Sequence, residues 1–414
     1  MHQNIKNRQK PLFYYSFPFI FSIYIFLYYV NKYFTYTLSI VFVVSFFMIF
    51  CFNLFSFCKR PTCPMLLGII FVLLILFSFL YASFPSTTIK TGVNTLAALI
   101  PGLYCYFYSD KISYTVFFNF FIKFAFFFSA ITIISIVVPF IYTEFIIKLL
   151  PVDLQTKALH FYTPLVSAGI TDQTGINAWF SVIGLSVSFA FYCTERKLKY
   201  LLLIFLFLIS IVFTAKRAHL LFSILSMFIV YLSLYKRNIK KKLALLFISS
   251  LLLLIFIMLF PDVFHYMKER FTVSDDKDIS SNRFLLWGIA FVFFLQKPIF
   301  GWGFGYCSNV MGTNVHNVYI QVLSELGIVG LCFFLVFLLS SIVSIFRKFK
   351  KKYFFMDNEE KLQLVFSLFI QLFFIMYCMT GNPLNDLNIF GVYFFAVCMV
   401  QDTRLRGNGC LYLK

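Results

Sequence analysis

Long apolar runs recur along almost the whole chain, among them residues 65–80 and 327–346, and few folds can hold them. About 20 apolar residues make a helix able to cross roughly 30 Å of hydrocarbon. A soluble domain hides such runs only occasionally, and it carries about 25% charged residues, against 12% here. The short alternating strands of an outer-membrane barrel are not seen. A lipid-embedded backbone must satisfy its own hydrogen bonds, so the expected fold is an all-α integral membrane protein.

About twelve spans are expected, near 11–30, 34–57, 65–84, 93–109, 112–142, 177–194, 199–214, 218–235, 243–260, 327–346, 362–380 and 389–402. The first is read as a retained helix, since its apolar run is long for a signal peptide and no small-residue cleavage site follows. Two long hydrophilic interruptions remain, 143–176 and 261–326. The basic loops at 195–199 (ERKLK), 236–242 (KRNIKKK) and 347–352 (RKFKKK) orient the chain. Under the positive-inside rule they face the cytoplasm, with both termini, and the two long loops face out. Organisation follows: 1–260 with nine spans and the first outer loop, 261–326 as a large extracytoplasmic loop with short helices, and 327–414 with three spans and a cytoplasmic tail. Residues 284–296 are apolar but too short to cross, and Pro298 ends them. They are expected to lie in the interface or re-enter from outside.

The net charge of +19 resides in these loops rather than on a basic face of a soluble domain, so a nucleic-acid partner is not expected. Most of the ten cysteines fall inside apolar runs; Cys307 stands alone in the long outer loop, and no disulfide framework is expected. Cys58 and Cys63 share an inner loop without further zinc ligands.

Charges that break the orientation rule are the informative ones. The outward turn F-T-A-K-R-A-H-L (213–220) places Lys216, Arg217 and His219 at the outer surface. Snorkelling toward lipid phosphates would explain them; so would an anion site, since Arg offers a planar fork of donors suited to phosphate. The second cluster runs from S-N-R-F-L-L-W (281–287) through K-P-I-F-G-W-G-F-G-Y (297–306) to V-H-N-V-Y-I-Q-V-L-S-E-L-G-I-V-G-L (315–331). Arg283 falls in the first turn of a short helix, Gly301, Gly303 and Gly305 permit unusual backbone beside a ligand, and a helix is expected to begin near Asn317. His316 carries an imidazole able to accept a proton near neutral pH. His160 and His265 share the outer side without such a setting. Asp275, Asp276 and Asp278 could hold a magnesium ion, but a solvated acidic loop explains them as well. Lys123 lies inside a span, facing either a polar interior or snorkelling.

Taken together, R…W…PIFGWGFG…HNVYIQVLSELGIVGL and the preceding outward K-R turn resemble the O-antigen polymerase and O-antigen ligase superfamily, which includes Wzy-type polymerases of O-antigen and capsule. The resemblance covers 281–331 most fully, then 211–235; G-I-T-D-Q-T-G-I-N-A (169–178) is similar to a segment of some capsule polymerases. It implies a membrane glycosyltransferase, inverting and without metal or other cofactor, working at the outer face of the bacterial inner membrane. Its donor and acceptor would be undecaprenyl-diphosphate-linked glycans, with membrane lipid and a chain-length regulator as further partners. On that resemblance Arg217 and Arg283 stabilise the diphosphate and His316 is the general base. Lys216, Asn317, Gly303 and Gly305 would contact substrate, Lys216 standing where a serine is commoner. The polymerase reading is preferred over a ligase that moves polymer to lipid A-core. A transporter is the alternative of another class, but internal repeats and paired intramembrane charges are missing from the sequence.

Overall fold

A computed structural model describes residues 13–27, 61–107, 113–234, 283–353 and 356–401. The expected spans at 34–57 and 243–260, and the acidic run 274–278, lie outside the described residues.

Thirteen α-helices of six residues or more organise the described residues: α1 (Phe13–Leu27), α2 (Cys63–Phe77), α3 (Pro85–Phe107), α4 (Tyr114–Val137), α5 (Val152–His160), α6 (Thr174–Glu195), α7 (Leu198–Phe213), α8 (Arg217–Leu234), α9 (Arg283–Gln296), α10 (Tyr306–Met311), α11 (Val318–Lys352), α12 (Asn358–Tyr377) and α13 (Leu387–Gln401). Among the described residues six stretches are long and apolar enough to cross a membrane: Cys63–Leu80, Tyr114–Val137, Thr174–Glu195, Arg217–Leu234, Val318–Phe349 and Asn358–Tyr377. Leu198–Phe213, Arg283–Gln296 and Asn388–Val400 are apolar but shorter.

Helices α6 and α13 form the middle of the bundle. Lipid gives apolar helices no reason to associate, so their contacts rest on small residues, close packing and interhelical hydrogen bonds. In α6 these are visible. Gly184 lies where a Cβ would come within 2.5 Å of the Phe207 ring and 2.6 Å of Ala125. The Ser181 hydroxyl sits 2.9 Å from that of Ser129 and 3.0 Å from that of Ser210, tying α6 to α4 and α7. Helix α13 packs on α3 and α12. Gly68 on α2 and Gly102 on α3 make room for its Phe394 ring. By contrast α4 shows one face outward, with Phe126, Phe127 and Lys123 exposed. The Lys123 ammonium lies 5.6 Å from the Phe120 ring, so it points away from the bundle rather than into a polar interior.

Helix α11 is broken at Gly327, whose φ of 66° and ψ of −168° are not helical. The break falls where the sequence placed the start of a span, and nine helical residues, 318–326, precede it. Backbone groups freed at a helix break need partners. They find them in the incoming glycine loop: the Ile328 N–H donates to the Pro298 carbonyl at 2.9 Å, and the Gly303 N–H to the Glu325 carbonyl at 2.8 Å. Helix α9 packs against α11 and turns Phe284, Leu285, Val292 and Leu295 outward. At about 1.5 Å per residue its 14 residues span roughly 21 Å, short of the hydrocarbon thickness.

Candidate active site

The turn between α7 and α8 is tight. The Thr214 hydroxyl donates to the Ile211 carbonyl at 2.6 Å and the Ala215 N–H to that of Val212 at 2.8 Å, closing α7. Ala215 then takes a left-handed φ of 54°, which reverses the chain and starts α8 at Arg217. This conformation costs an L-residue about 1–2 kcal/mol. Lys216 and Arg217 are left half-buried beside each other. His219 departs from expectation. Two residues into α8, it faces α12 and is buried, its ring 4.6 Å from that of Tyr377 and 5.7 Å from that of Phe373. It belongs to the packing of the bundle rather than to the outer surface.

The segment 166–171 runs inward under this turn and is buried. The Ser167 N–H donates to the Phe213 carbonyl at 2.9 Å, and the Tyr142 hydroxyl donates to that of Gly169 at 2.6 Å. A Cβ at Gly175, in the first turn of α6, would lie 3.7 Å from Cε of Lys216.

His316 also has a left-handed backbone, φ 57°, a region histidine visits more readily than most side chains. The residue is held by Asn382, in the polar connection between α12 and α13. The His316 backbone N–H donates to Oδ1 of Asn382 at 2.8 Å, and Nδ2 of the same amide lies 2.9 Å from the imidazole Nδ1. The same connection grips the neighbourhood: Asn385 Nδ2 donates to Oδ1 of Asn314 at 2.8 Å, and the Val318 N–H to the Cys378 carbonyl at 2.8 Å. Burial, then the positive charges of Arg283 and Lys216, hold the His316 pKa below its ordinary 6.5. At neutral pH the ring is therefore uncharged. The charges of Arg283, at the start of α9, and of Lys216, before α8, thus act on His316 although the three residues come from separate segments. Arg217 adjoins Lys216 in the same turn.

Asn317, Gly303 and Gly305 also have structural work. Asn317 caps α11, its Oδ1 accepting from the Tyr319 and Ile320 N–H groups at 3.0 and 3.2 Å. Gly303 and Gly305 are buried, and their close neighbours are the protein's own helices. A Cβ on Gly303 (φ 91°) would fall 2.3 Å from that of Ala82, and Gly305 (φ 88°) opens α10 beside Thr87. The Phe304 N–H between them donates to the Ser78 hydroxyl at 3.1 Å, and its carbonyl accepts from Thr88 at 2.8 Å. The backbone freedom expected there is real, but it serves packing against α2 and α3. Gly303→Ala should therefore cost at least about 2 kcal/mol from strain and overlap. A fall in the melting temperature of the purified protein checks this; an unchanged one would contradict it.

Asn382, Asn385 and Asp386 were not anticipated. Their signal was T-G-N-P-L-N-D (380–386), a polar stretch with a proline between two apolar helices. Glu325, left unassigned from the sequence, is buried, and its carboxylate accepts from the Cys307 N–H at 2.9 Å and from Gln321 at 3.1 Å. It fastens α10 to α11.

Compared with known families, residues 202–335 match the model described as O-antigen ligase. The matched stretch contains Lys216, Arg217, Arg283, Gly303, Gly305, His316 and Asn317, and ends before Asn382. The match supports the O-antigen polymerase and ligase superfamily, over the same region that carried the resemblance in sequence. No curated protein matches the chain.

Proposed function

We propose that this chain, placed with the O-antigen polymerase and ligase superfamily by its residues 202–335, is a polysaccharide polymerase. It would join undecaprenyl-diphosphate-linked repeat units of O-antigen or capsule at the outer face of the bacterial inner membrane, by inverting glycosyl transfer without a metal. The observation that carries this reading is the family match over a stretch that holds Lys216, Arg217, Arg283 and His316, with the charges of Arg283 and Lys216 acting on His316.

The chemistry suits that arrangement. The donor's lipid lies in the bilayer, so its diphosphate must sit near the interface. As the bond between sugar and phosphate breaks, negative charge grows on the diphosphate. Fixed cations aimed at that charge lower the barrier, and they do so best where water is scarce. Arg217 and Arg283 would hold the leaving group, with Lys216 adding charge and His316 touching the reacting oxygens. The acceptor hydroxyl attacks the opposite face of the anomeric carbon, which inverts its configuration, and positioning of the two lipid-linked chains supplies much of the remaining rate.

A ligase would use the same donor and the same cations. The segment 169–178 folds against the K-R turn, and its similarity to capsule polymerases supports the polymerase reading. A strain lacking the gene separates the alternatives on a surface-polysaccharide gel. Core carrying a single repeat unit, with no ladder, is the expected result. Bare core with lipid-linked polymer accumulating would mean a ligase. An unchanged ladder together with unchanged capsule would overturn the enzyme reading in favour of transport. Turnover by purified protein is expected to persist in excess chelator, and its loss, restored by added magnesium, would show that a divalent cation takes part.

A further inference from the structure

Asn382 lies outside the family match, yet it is the side chain that grips His316. A backbone N–H can only donate, so the oxygen of the Asn382 amide must face the His316 N–H, as the 2.8 Å contact shows. The amide cannot be flipped without setting donor against donor. Its NH2 therefore faces Nδ1 at 2.9 Å, and Nδ1 must accept. A neutral imidazole carries one proton, so in this geometry that proton is on Nε2.

We infer that Asn382 is a positioning residue which fixes His316 as the Nε2–H tautomer, so that His316 acts as a hydrogen-bond donor to the diphosphate rather than as a general base. The inference rests on the proposed glycosyl transfer and revises the role expected of His316 from sequence. A base would need a free lone pair; here the lone pair is on Nδ1, covered by the amide. The surroundings agree. Arg283 and Lys216, whose charges act on His316, make a poor setting for gaining a proton and a good one for meeting phosphate oxygens. Other groups packed around the site leave this unchanged: Asn314 and Asn385 are neutral amides paired with each other, and Asp386 lies near enough to Tyr377 for its charge to be felt, as does Arg283.

The transfer still balances. The acceptor oxygen forms its bond to the anomeric carbon while the bond from that carbon to phosphate oxygen breaks, and the electron pair leaves on the diphosphate. Sugar transfers of this kind pass through an oxocarbenium-like transition state, and an alcohol oxygen bonded to such a carbon becomes strongly acidic. Its proton is lost to water at the outer surface, without help from His316.

Nitrogen-15 histidine labelling of the full chain in lipid nanodiscs tests the tautomer directly, with the His316 signals assigned by their loss in His316→Gln. An unprotonated Nδ1 and a protonated Nε2 are expected, the preference being lost in Asn382→Ala. A protonated Nδ1 in the wild type would overturn the inference. Turnover provides the second readout. Gln can donate from its amide but cannot act as a base, so His316→Gln should keep turnover within about tenfold of wild type, while His316→Ala loses roughly 100-fold or more. Equal losses in both variants, at equal amounts of folded protein, would restore the base role and sink the inference while leaving the transferase reading intact. Full turnover in both would instead remove His316 from the site altogether.

Discussion

Arg217→Ala is expected to lower turnover by roughly 10²–10³-fold while leaving the protein folded in the membrane. That is the usual loss on removing one preorganised donor to developing negative charge, about 3–4 kcal/mol of transition-state stabilisation. Arg217 opens α8 directly after a turn whose left-handed Ala215 sets the direction of the chain, and it is half-buried, where charge is screened less than in open water. The side chain is only partly buried, so truncation should affect chemistry more than stability. Arg217→Lys keeps the charge and loses the two-pronged fork, so its turnover should fall between the two. Arg283→Ala should resemble Arg217→Ala. Both act on one leaving group, so the double variant should lose less than the product of the single losses. Initial rates of polymer formation at matched protein amounts give these values. A rate for Arg217→Ala within threefold of wild type would contradict the diphosphate assignment.

Gly327→Ala should remove most of the folded protein. The glycine has φ 66° and ψ −168°, a region populated almost only by glycine, and holding another residue there costs on the order of 1–3 kcal/mol. A Cβ would also lie 2.2 Å from the Ile299 carbonyl oxygen, a backbone atom that cannot turn aside. Relief would require the glycine loop to move off α11, breaking the Ile328 to Pro298 and Gly303 to Glu325 hydrogen bonds. The total cost is then about 3 kcal/mol or more, a large part of ordinary domain stability. Size-exclusion profiles of the detergent-solubilised variant should show aggregate or no protein, whereas a wild-type profile and melting temperature would contradict this account of the break. Arg217→Ala, handled identically, should give a normal profile.

Helices whose signal is local were legible. The runs expected at 199–214 and 218–235 appear as helices at Leu198–Phe213 and Arg217–Leu234, and the short stretch at 284–296 as Arg283–Gln296. In each case the apolar run itself sets the length, and charge or proline closes it. The start of the helix after His316 could also be read, because Asn317 is a capping residue. What could not be read was determined by distant partners. The two hydrogen bonds from Asn382 reach His316 across 66 positions, and no periodicity encodes them. The glycines of 301–305 announced positive φ, and the structure gives 70°, 91° and 88°. They could not announce which parts of the chain would approach them: Ala82 and Ser78 after α2, Thr87 on α3, and Glu325 on α11. His219 was misplaced because sequence locates a residue along a helix only roughly. The start of α8 fell within one residue of expectation, but the face its third residue turns is set by packing, and the ring meets Phe373 and Tyr377 of α12.

On the proposed reading, the cluster of Lys216, Arg217, Arg283 and His316 releases undecaprenyl diphosphate as it transfers a glycan. The most direct measurement is made on the purified full chain in a lipid bilayer supplied with an undecaprenyl-diphosphate-linked glycan, following free undecaprenyl diphosphate and glycan length together. Release should match glycan extension one for one, and both should fall together by at least about 100-fold in Arg217→Ala. Passage of the lipid-linked glycan across the bilayer with no release of diphosphate, or release undiminished in Arg217→Ala, would contradict it.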